Sequence, residues 1–467
     1  MRALHGGPGA PAAVFADGAR APHVVDLPPG CAVNPAGHLC CGGFDLVDLA
    51  ARFGTPLYVF NEDVIRGNCR AYRAAFGGYP GAGVVAYAAK ACLTVAMAAI
   101  MDREGLHLDV VSAGELQTAL AAGFPARRIH FHGNNKGRDE IEMALDAGVG
   151  RVVADNFREL ELLDASARAR GVRQDVLLRV APGIEAHTHA YIRTGGQDSK
   201  FGFDLQSGQA MEAAGRVGDL PGLRCVGLHA HVGSQILDTG VVAPLVDAVL
   251  DLAVSVRRDA GWDVAELNLG GGPGIRYGGE ERTLPPAAWV RALVEAVVDG
   301  CEERGLPLPQ LVVEPGRSIV GEAGVALYSV GSSKRVPGLV PWVAVDGGMG
   351  DNIRPALYGA EYTVAVAGRM RAPAEEPVHV VGRFCESGDF LARATPLPRL
   401  EEGDLLAFFA AGAYQYPMAS NYNRVPRPCL LLVSAGRCDV MVERETVADL
   451  LRRDRLPDHL REPEGAR

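Results

Sequence analysis

Short apolar strands alternate with amphipathic helices through the middle of the chain, and this alternation restricts the fold more than any other feature. Eight apolar runs predict strands at 84–90, 106–111, 128–132, 151–155, 175–181, 224–231, 265–269 and 310–314. Helical periodicity fills the gaps between them, as at 92–103, 114–122, 137–147, 157–170, 240–258 and 287–304. Eight strand–helix units over about 250 residues are typical of a (β/α)8 TIM barrel, and a doubly wound open sheet is the alternative.

The pattern changes on both sides of the predicted barrel, which we place at 60–325. Residues 1–41 are rich in Gly, Pro and Ala without periodicity, so we expect a flexible N-terminal arm. The remaining segments, 42–59 and 326–467, predict a mostly antiparallel β domain with a short C-terminal helix. Its strands are expected at 56–60, 325–332, 341–346, 361–367, 378–384, 404–411 and 429–443, and its helix at 445–453.

Composition excludes several classes of partner. The net charge of −10 and the absence of a basic block argue against nucleic acid and against an anionic membrane surface. No apolar run is long enough to cross a bilayer, and no signal peptide is evident. The ten cysteines contain no CxxC pair, so we expect no disulfide framework, no metal site, and free thiols in a reducing cytoplasm.

Polar and glycine residues gather where the predicted strands end. In a (β/α)8 barrel the C-terminal ends of the strands carry the chemistry. The residues at these ends are Lys90, Asp109, Ser112, His132, Gly133, Asn134, Arg179, the segment His229–Ser234, the segment Gly270–Gly274 and the segment Glu314–Arg317. This distribution predicts an active site on one face of the barrel.

Lys90 closes an otherwise apolar strand. An ionised amine is costly to bury, and burial lowers the pKa of an amine, which makes it a nucleophile able to form a Schiff base. The alternative is a lysine whose head reaches solvent at the strand end.

The glycines after the seventh strand suggest an anion site, because backbone N–H groups can approach an oxyanion closely there. A plain tight turn would explain the glycine run alone, but Arg317 after the eighth strand fits the usual phosphate site of a barrel. A phosphate, a Schiff-base lysine and Glu314 together predict pyridoxal 5′-phosphate (PLP), with Glu314 pairing with the pyridine nitrogen. His231 could stack on the ring. Glu314 could instead form a salt bridge with Arg179, and Asp109 has a similar double interpretation.

Several motifs resemble the fold-type III PLP-dependent decarboxylases, in the same order from about residue 42 to 453. They are Tyr87–Ala91, His231–Gln235, Gly270–Gly272, Glu314–Arg317 and Cys385–Asp389. Within that family the chain looks most like the diaminopimelate decarboxylase group, on the motifs Ser199–Gly202, Arg354–Tyr358, Cys385–Asp389 and Met418–Asn423. The resemblance implies an alanine racemase-like barrel followed by a β domain.

The resemblance also implies roles around the cofactor. Lys90 holds PLP, His231 stacks on the ring and Glu314 pairs with the pyridine nitrogen. Asp109 supports the site near Lys90. The phosphate contacts are Ser234, Gly270, Gly271, Gly272 and Tyr414.

The implied substrate contacts lie partly on a second copy of the chain. Arg317, Arg354 and Tyr358 would hold the distal carboxylate of diaminopimelate, since a guanidinium matches a carboxylate with two hydrogen bonds. Tyr414 also contacts the substrate. Glu386 would take the distal ammonium and Cys385 would protonate the α-carbon, both reaching the Lys90 site of the other subunit in a homodimer.

The function implied is decarboxylation of meso-2,6-diaminopimelate to L-lysine and CO2, the last step of lysine biosynthesis. The main alternative is a decarboxylase of the same fold acting on ornithine, lysine, arginine or a specialised-metabolism amino acid, which has no use for Arg354. An amino acid racemase needs a second base, usually tyrosine, where this chain has Cys385. A non-catalytic PLP-binding protein would be expected to lack Lys90 or Cys385.

Overall fold

The computed structural model of the chain describes residues 23–24, 26–184, 199–278 and 283–461. In chain order its strands are β1 Cys31–Val33, β2 Leu39–Cys41, β3 Phe44–Asp45, β4 Leu57–Asn61, β5 Gly83–Ala88, β6 His107–Val110, β7 Ile129–Phe131, β8 Arg151–Ala154, β9 Gln174–Ala181, β10 Phe203–Asp204, β11 Leu223–Ala230, β12 Glu266–Asn268, β13 Gln310–Val313, β14 Gly324–Lys334, β15 Trp342–Val345, β16 Val364–Val366, β17 Glu376–Val381, β18 Phe390–Leu397, β19 Leu405–Phe408, β20 Cys429–Ser434 and β21 Arg437–Val442. Its α-helices are α1 Leu46–Phe53, α2 Glu62–Ala75, α3 Val95–Arg103, α4 Ala113–Ala121, α5 Arg138–Ala147, α6 Phe157–Ala169, α7 Gln209–Arg216, α8 Val242–Ser255, α9 Pro286–Arg304, α10 Arg317–Val320, α11 Arg354–Tyr358 and α12 Val447–Leu451.

The parallel strands close into a barrel. The hydrogen-bonded order runs β9, β11, β12, β13, β5, β6, β7 and β8, and a further pairing of β8 with β9 completes the ring. The two-residue strand β10 extends the outside of β9. Closure confirms the predicted (β/α)8 barrel and excludes the open doubly wound sheet, which would leave two edge strands unpaired.

Local hydrogen bonds fix the points at which strands β5 and β6 end at the C-terminal face of the barrel. Tyr87 near the end of β5 is fully buried, and its hydroxyl donates to the carbonyl of Cys92 at 2.7 Å, which fixes the turn that carries Lys90. After β6 the Ser112 hydroxyl accepts the N–H of Glu115 at 3.2 Å and caps helix α4. The chain therefore leaves both strands at defined points, and their final side chains share one face.

The β domain combines strands from both sides of the barrel. Its main sheet runs β18, β17, β15, β14, β4, β20 and β21, with β19 pairing with β14 and with β16. Strand β4, which precedes the barrel, lies between β14 and β20, as expected for the strand predicted at 56–60. Strand β18 was not predicted, whereas the segment 429–443, in which the sequence predicts a turn at Ala435 and Gly436, is a hairpin that turns at those two residues.

Part of the N-terminal segment packs against this β domain. Strands β1 and β2 form a hairpin in which Leu39 is fully buried. The Leu39 N–H donates to Ala367 O at 2.7 Å, and the Met370 N–H donates to Gly37 O at 2.9 Å. This packing differs from the flexible arm expected over 1–41. The sequence did not indicate the hairpin, because strands of three residues are too short to show periodicity. Residues 1–22 lie outside the described ranges.

No helix in the described part of the chain has the length and apolar character needed to cross a membrane.

Candidate active site

A cavity of about 410 Å3, partly open to solvent, lies at the C-terminal face of the barrel. It gathers side chains or backbone from five of the eight barrel strand ends or the loops that follow them, together with one loop of the β domain. Its lining residues are Ala88, Lys90, Asp109, His231, Ser234, Gly271, Gly272, Pro273, Glu314, Gly316, Arg317, Ser318 and Tyr414. Nine of the residues to which the resemblance gives a role at the site are thus brought together in one place.

Lys90 stands in a short 3-10 turn, Ala89–Ala91, directly after β5. Its side chain is exposed, so the expectation of a buried lysine is wrong, because strand β5 already ends at Ala88. Asp109 lies nearby and is buried, and burial raises the pKa of Asp109, an effect that the charges of His132 and Lys90 partly oppose. His231 also senses the charge of Lys90, and burial followed by that charge lowers the pKa of His231 well below its usual value.

Glu314 is the centre of a buried polar cluster. His229 Nε2 donates to Glu314 Oε2 at 3.1 Å, Asn268 Nδ2 donates to Oε1 at 2.7 Å, and His132 Nε2 lies 2.9 Å from Oε1. Burial alone would raise the pKa of Glu314, but the two histidines outweigh it and hold the pKa well below its usual value. A carboxylate has about four acceptor positions, so these three donors leave room for one more.

The expected alternative for Glu314, a salt bridge with Arg179, is wrong. The carboxylate nearest to Arg179 among the described residues belongs to Asp155, whose Oδ1 lies 3.9 Å from Arg179 Nε. The Arg179 guanidinium also lies 4.3 Å from the centre of the Phe201 ring. Glu314 is therefore held by neutral or weakly basic donors.

The glycines after β12 form a backbone cradle. A Cβ on Gly271 would lie 2.1 Å from Glu314 O, and one on Gly270 would lie 2.7 Å from His231 Nδ1. Gly272 has a φ of +154°, a region that favours glycine. Within the described part of the chain, the N–H groups of Gly271 and Gly272 make no hydrogen bond. They are therefore free to bind an anion in the cavity.

Two buried arginines meet at one tyrosine. Arg317 donates through Nη1 to the Tyr277 hydroxyl, and Arg354 Nη1 donates to the same hydroxyl at 2.9 Å. Arg354 also donates to the Tyr362 hydroxyl at 2.7 Å, while Arg317 Nε and Nη2 lie 3.2 Å from Ser234 Oγ. Arg317 and Arg354 are only 5% and 7% exposed, yet neither has a carboxylate within 4.0 Å among the described residues. Two buried cations without a counterion form a site for an anion.

Tyr414 reaches the cavity from the β domain in a strained backbone conformation. Its φ is +59°, which is rare for a residue with a side chain. The Tyr414 N–H donates to Ala91 O at 2.9 Å, next to Lys90, and Arg317 lies 4.7 Å from the centre of its ring. The surrounding hydrogen bond and cation–π contact hold this conformation.

The other predicted residues do not line the cavity of a single chain. Tyr358 ends helix α11, and the Arg354 guanidinium lies 6.0 Å from the centre of its ring. Cys385 and Glu386 are exposed in the loop after β17. Buried Asp389 holds that loop, because its carboxylate accepts the N–H groups of Phe384 at 2.9 Å and Met349 at 2.6 Å.

Sequence reasoning missed four groups that complete the site. Asn268 and Tyr277 were not singled out, and His132 and His229 were noted at strand ends without a role. Strand ends are a usable signal for His132, His229 and Asn268, since each lies on or directly after a barrel strand. Tyr277 follows the glycine loop at no characteristic spacing, so its contact with both arginines required the structure.

These residues fit pyridoxal phosphate on the observations above. The glycine cradle with Ser234 suits a phosphate, Glu314 has one acceptor position left for a protonated ring nitrogen, and Lys90 stands at the cavity.

Known proteins agree with this fit. The family described as "Pyridoxal-dependent decarboxylase, pyridoxal binding domain" matches residues 62–321. Diaminopimelate decarboxylase of Bacillus subtilis is 48% identical over 421 residues, which cover 90% of this chain and 96% of the relative. The enzyme of the same name from Bacillus methanolicus is 47% identical over 413 residues, covering 88% and 96%. The solved structure of diaminopimelate decarboxylase from M. jannaschii in complex with L-lysine superposes with a TM-score of 0.87 at 34% identity, covering 92% of this chain and 99% of the other. The chain therefore belongs to the diaminopimelate decarboxylases of the pyridoxal-dependent decarboxylase family.

Proposed function

We propose that the chain decarboxylates meso-2,6-diaminopimelate to L-lysine and CO2, the last step of lysine biosynthesis, with pyridoxal 5′-phosphate as cofactor. The observation that carries the proposal is the pair of buried arginines, Arg317 and Arg354, that share the Tyr277 hydroxyl. Diaminopimelate has an amino acid centre at each end, and only one end reacts. The other end presents a carboxylate, which two guanidinium groups without a counterion would bind.

This pair argues against the main alternative. Ornithine and lysine carry only an ammonium group at the far end, so a site for them would place two buried cations close to a third. Neighbouring positive charges repel one another, and burial strengthens this repulsion. The substrate arginine carries a guanidinium at its far end, which is also a cation and would be repelled in the same way. A distal carboxylate satisfies both arginines at once.

The cofactor, when bound, supplies an electron sink for the carbanion that forms as CO2 leaves. Lys90 would hold it covalently, and Glu314 would pair with its ring nitrogen. Ser234, Gly270, Gly271, Gly272 and Tyr414 would surround its phosphate, while His231 would lie on the ring face and Asp109 near Lys90. Because His132 and His229 keep Glu314 ionised, Glu314 favours a protonated ring nitrogen.

The substrate would be oriented by Arg317, Arg354 and Tyr358 at its distal carboxylate and by Tyr414. Cys385 would protonate the α-carbon and Glu386 would bind the distal ammonium. Since Cys385 and Glu386 are exposed and lie outside the cavity of their own chain, we propose a homodimer in which they complete the partner's site. The ten free cysteines support a cytoplasmic location, because thiols stay reduced there.

An arginine substitution tests the substrate. We expect Arg354→Gln to reduce kcat/KM for meso-diaminopimelate by about tenfold to a hundredfold, which corresponds to the loss of one charge-assisted hydrogen bond. Arg371→Gln is the matched control, since that arginine is exposed and, among the described residues, its guanidinium bonds only to the backbone carbonyls of Pro35 and Asn34. An Arg354→Gln enzyme as active as the wild type would refute the distal-carboxylate argument.

Subunit mixing tests the shared site. Lys90→Ala and Cys385→Ala variants should each be inactive alone, and mixing them should restore part of the activity, because one site of the hybrid dimer has both residues. No recovery, with exchange of subunits verified by mass, would contradict a site shared between chains.

A further inference from the structure

Two cysteines face each other in the N-terminal hairpin. Strands β1 and β2 are antiparallel, and their register places Cys31 directly opposite Cys41. The Asn34 N–H donates to His38 O at 3.0 Å, and the Gly42 N–H donates to Gly30 O at 3.1 Å. Hydrogen-bonded and non-hydrogen-bonded pairs alternate along such a ladder, so the Cys31–Cys41 pair is a non-hydrogen-bonded one.

This position suits a disulfide. Opposite residues of a non-hydrogen-bonded pair have Cα atoms about 4.5 Å apart, with their side chains on the same face. A disulfide requires Cα atoms between about 4.4 and 6.8 Å apart. The register therefore places both cysteines where the typical spacing of the strands falls within the range for a disulfide.

We propose that Cys31 and Cys41 form an intrachain disulfide when the protein meets a low-molecular-weight disulfide. The Cys31 thiolate attacks one sulfur of the reagent, forming a mixed disulfide and releasing one reagent thiolate. The Cys41 thiolate then attacks the Cys31 sulfur and displaces the second reagent thiolate. Two protein thiols lose two protons and two electrons in total, and the reagent disulfide is reduced to two thiols.

The surroundings of the two thiols support this order. Cys31 is partly exposed, so a small disulfide can reach it, whereas Cys41 is 1% exposed and can react only with a sulfur already bound to Cys31.

Cys40 provides an internal comparison. It neighbours Cys41 in sequence but lies opposite Ala32, and side chains of successive strand residues point to opposite faces. Its thiol lies 4.0 Å from His38 O on that other face. Cys40 is therefore excluded from the bridge although it is the nearest cysteine along the chain.

The bridge would close residues 31–41 into a ring at the place where the N-terminal segment is attached to the β domain. That attachment includes the backbone bonds from Leu39 to Ala367 and from Met370 to Gly37. Closing the ring removes conformations in which the hairpin opens, so the oxidised form should protect this segment from exchange and proteolysis.

The test uses the full-length holoenzyme with oxidised glutathione, followed by alkylation and trypsin. Cleavage after Arg20 and Arg52 gives one peptide, 21–52, that contains Cys31, Cys40 and Cys41. We expect this peptide to be two hydrogen atoms lighter and to carry one alkyl group. Cys40→Ser should still form the bridge and carry no alkyl group, while Cys31→Ser and Cys41→Ser should not form it.

Other results would overturn the proposal. A stable glutathione adduct on this peptide, full alkylation of all three cysteines, or a bridge that disappears in Cys40→Ser would each do so. A thiol count on the isolated 21–52 peptide provides a measurement that does not need the variants, because two of its three thiols should be lost on oxidation of the holoenzyme.

Discussion

Removing the Tyr277 hydroxyl should weaken substrate binding while sparing the cofactor. Tyr277→Phe keeps the ring, whose centre lies 5.6 Å from the Arg317 guanidinium and 4.9 Å from that of Arg354, and deletes only the oxygen that accepts from both. Hydrogen bonds to charged groups contribute about 1.5–3 kcal/mol each. A bound carboxylate can replace part of that loss, so we expect a net effect of about 1.5–3 kcal/mol on the transition state.

This magnitude corresponds to a fall in kcat/KM for meso-diaminopimelate of about tenfold to 150-fold, mainly through KM. The affinity for pyridoxal phosphate should change little, since Arg317 keeps its contacts of 3.2 Å with Ser234. Tyr362→Phe is the matched control, because the Tyr362 hydroxyl accepts from Arg354 at 2.7 Å but not from Arg317, so its loss should have about half the effect in free energy. Steady-state kinetics and cofactor titration give both quantities. A Tyr277→Phe enzyme within twofold of the wild type, or a Tyr362→Phe enzyme equally impaired, would refute this reasoning.

Three further predictions concern groups around the site. Burial raises the pKa of Glu115 to about 7, so the contribution of Glu115 to stability is complete below pH 4.5 and is lost as the pH rises to 7. Urea unfolding of the apoprotein should show a loss of about 2–3 kcal/mol over that range, and this loss should be absent in Glu115→Gln. Equal pH dependence of the unfolding free energy in the two proteins would contradict the prediction. Lys136→Met should destabilise the protein by about 3–5 kcal/mol, because it leaves Glu159, which lies 2.6 Å from the Lys136 ammonium, as an unpaired buried charge. Adding Glu159→Leu should restore part of the lost stability. A Lys136→Met variant as stable as the wild type would contradict this prediction. Asp389→Asn should lower kcat and destabilise the protein by about 1–3 kcal/mol, since the new amide would face a backbone N–H in the Cys385 loop. An unchanged kcat would show that the bonds of Asp389 to this loop do not position Cys385.

The barrel could be predicted because its signal is repeated. Eight apolar runs with amphipathic segments between them leave few alternatives, and the observed strands lie within one or two residues of the predicted ones at most positions. The β domain was harder, because strands such as β18, Phe390–Leu397, are partly exposed and carry no continuous apolar run. The hairpin at 31–41 was missed because its strands have only three residues each, which is too short for a recognisable pattern.

Most of the candidate site could be predicted from position and residue type. Glu314 and Arg317 follow one strand, and residues at strand ends of a barrel share a face whatever their distance in sequence. The sequence left open whether Lys90 is buried or reaches solvent, because its exposure depends on the residue at which β5 ends. Contacts between distant loops were equally hidden: the Tyr277 hydroxyl binds Arg354 across 77 positions of the chain.

The central claim is that the site recognises a carboxylate at the far end of the substrate. The direct measurement is CO2 release and product identity with purified holoenzyme offered meso-diaminopimelate, L-lysine, L-ornithine and L-arginine separately. The paired arginines, Arg317 and Arg354, predict turnover of meso-diaminopimelate to L-lysine with the other three amino acids left unreacted. Turnover of lysine, ornithine or arginine at a comparable rate would contradict the claim and assign the two arginines another role.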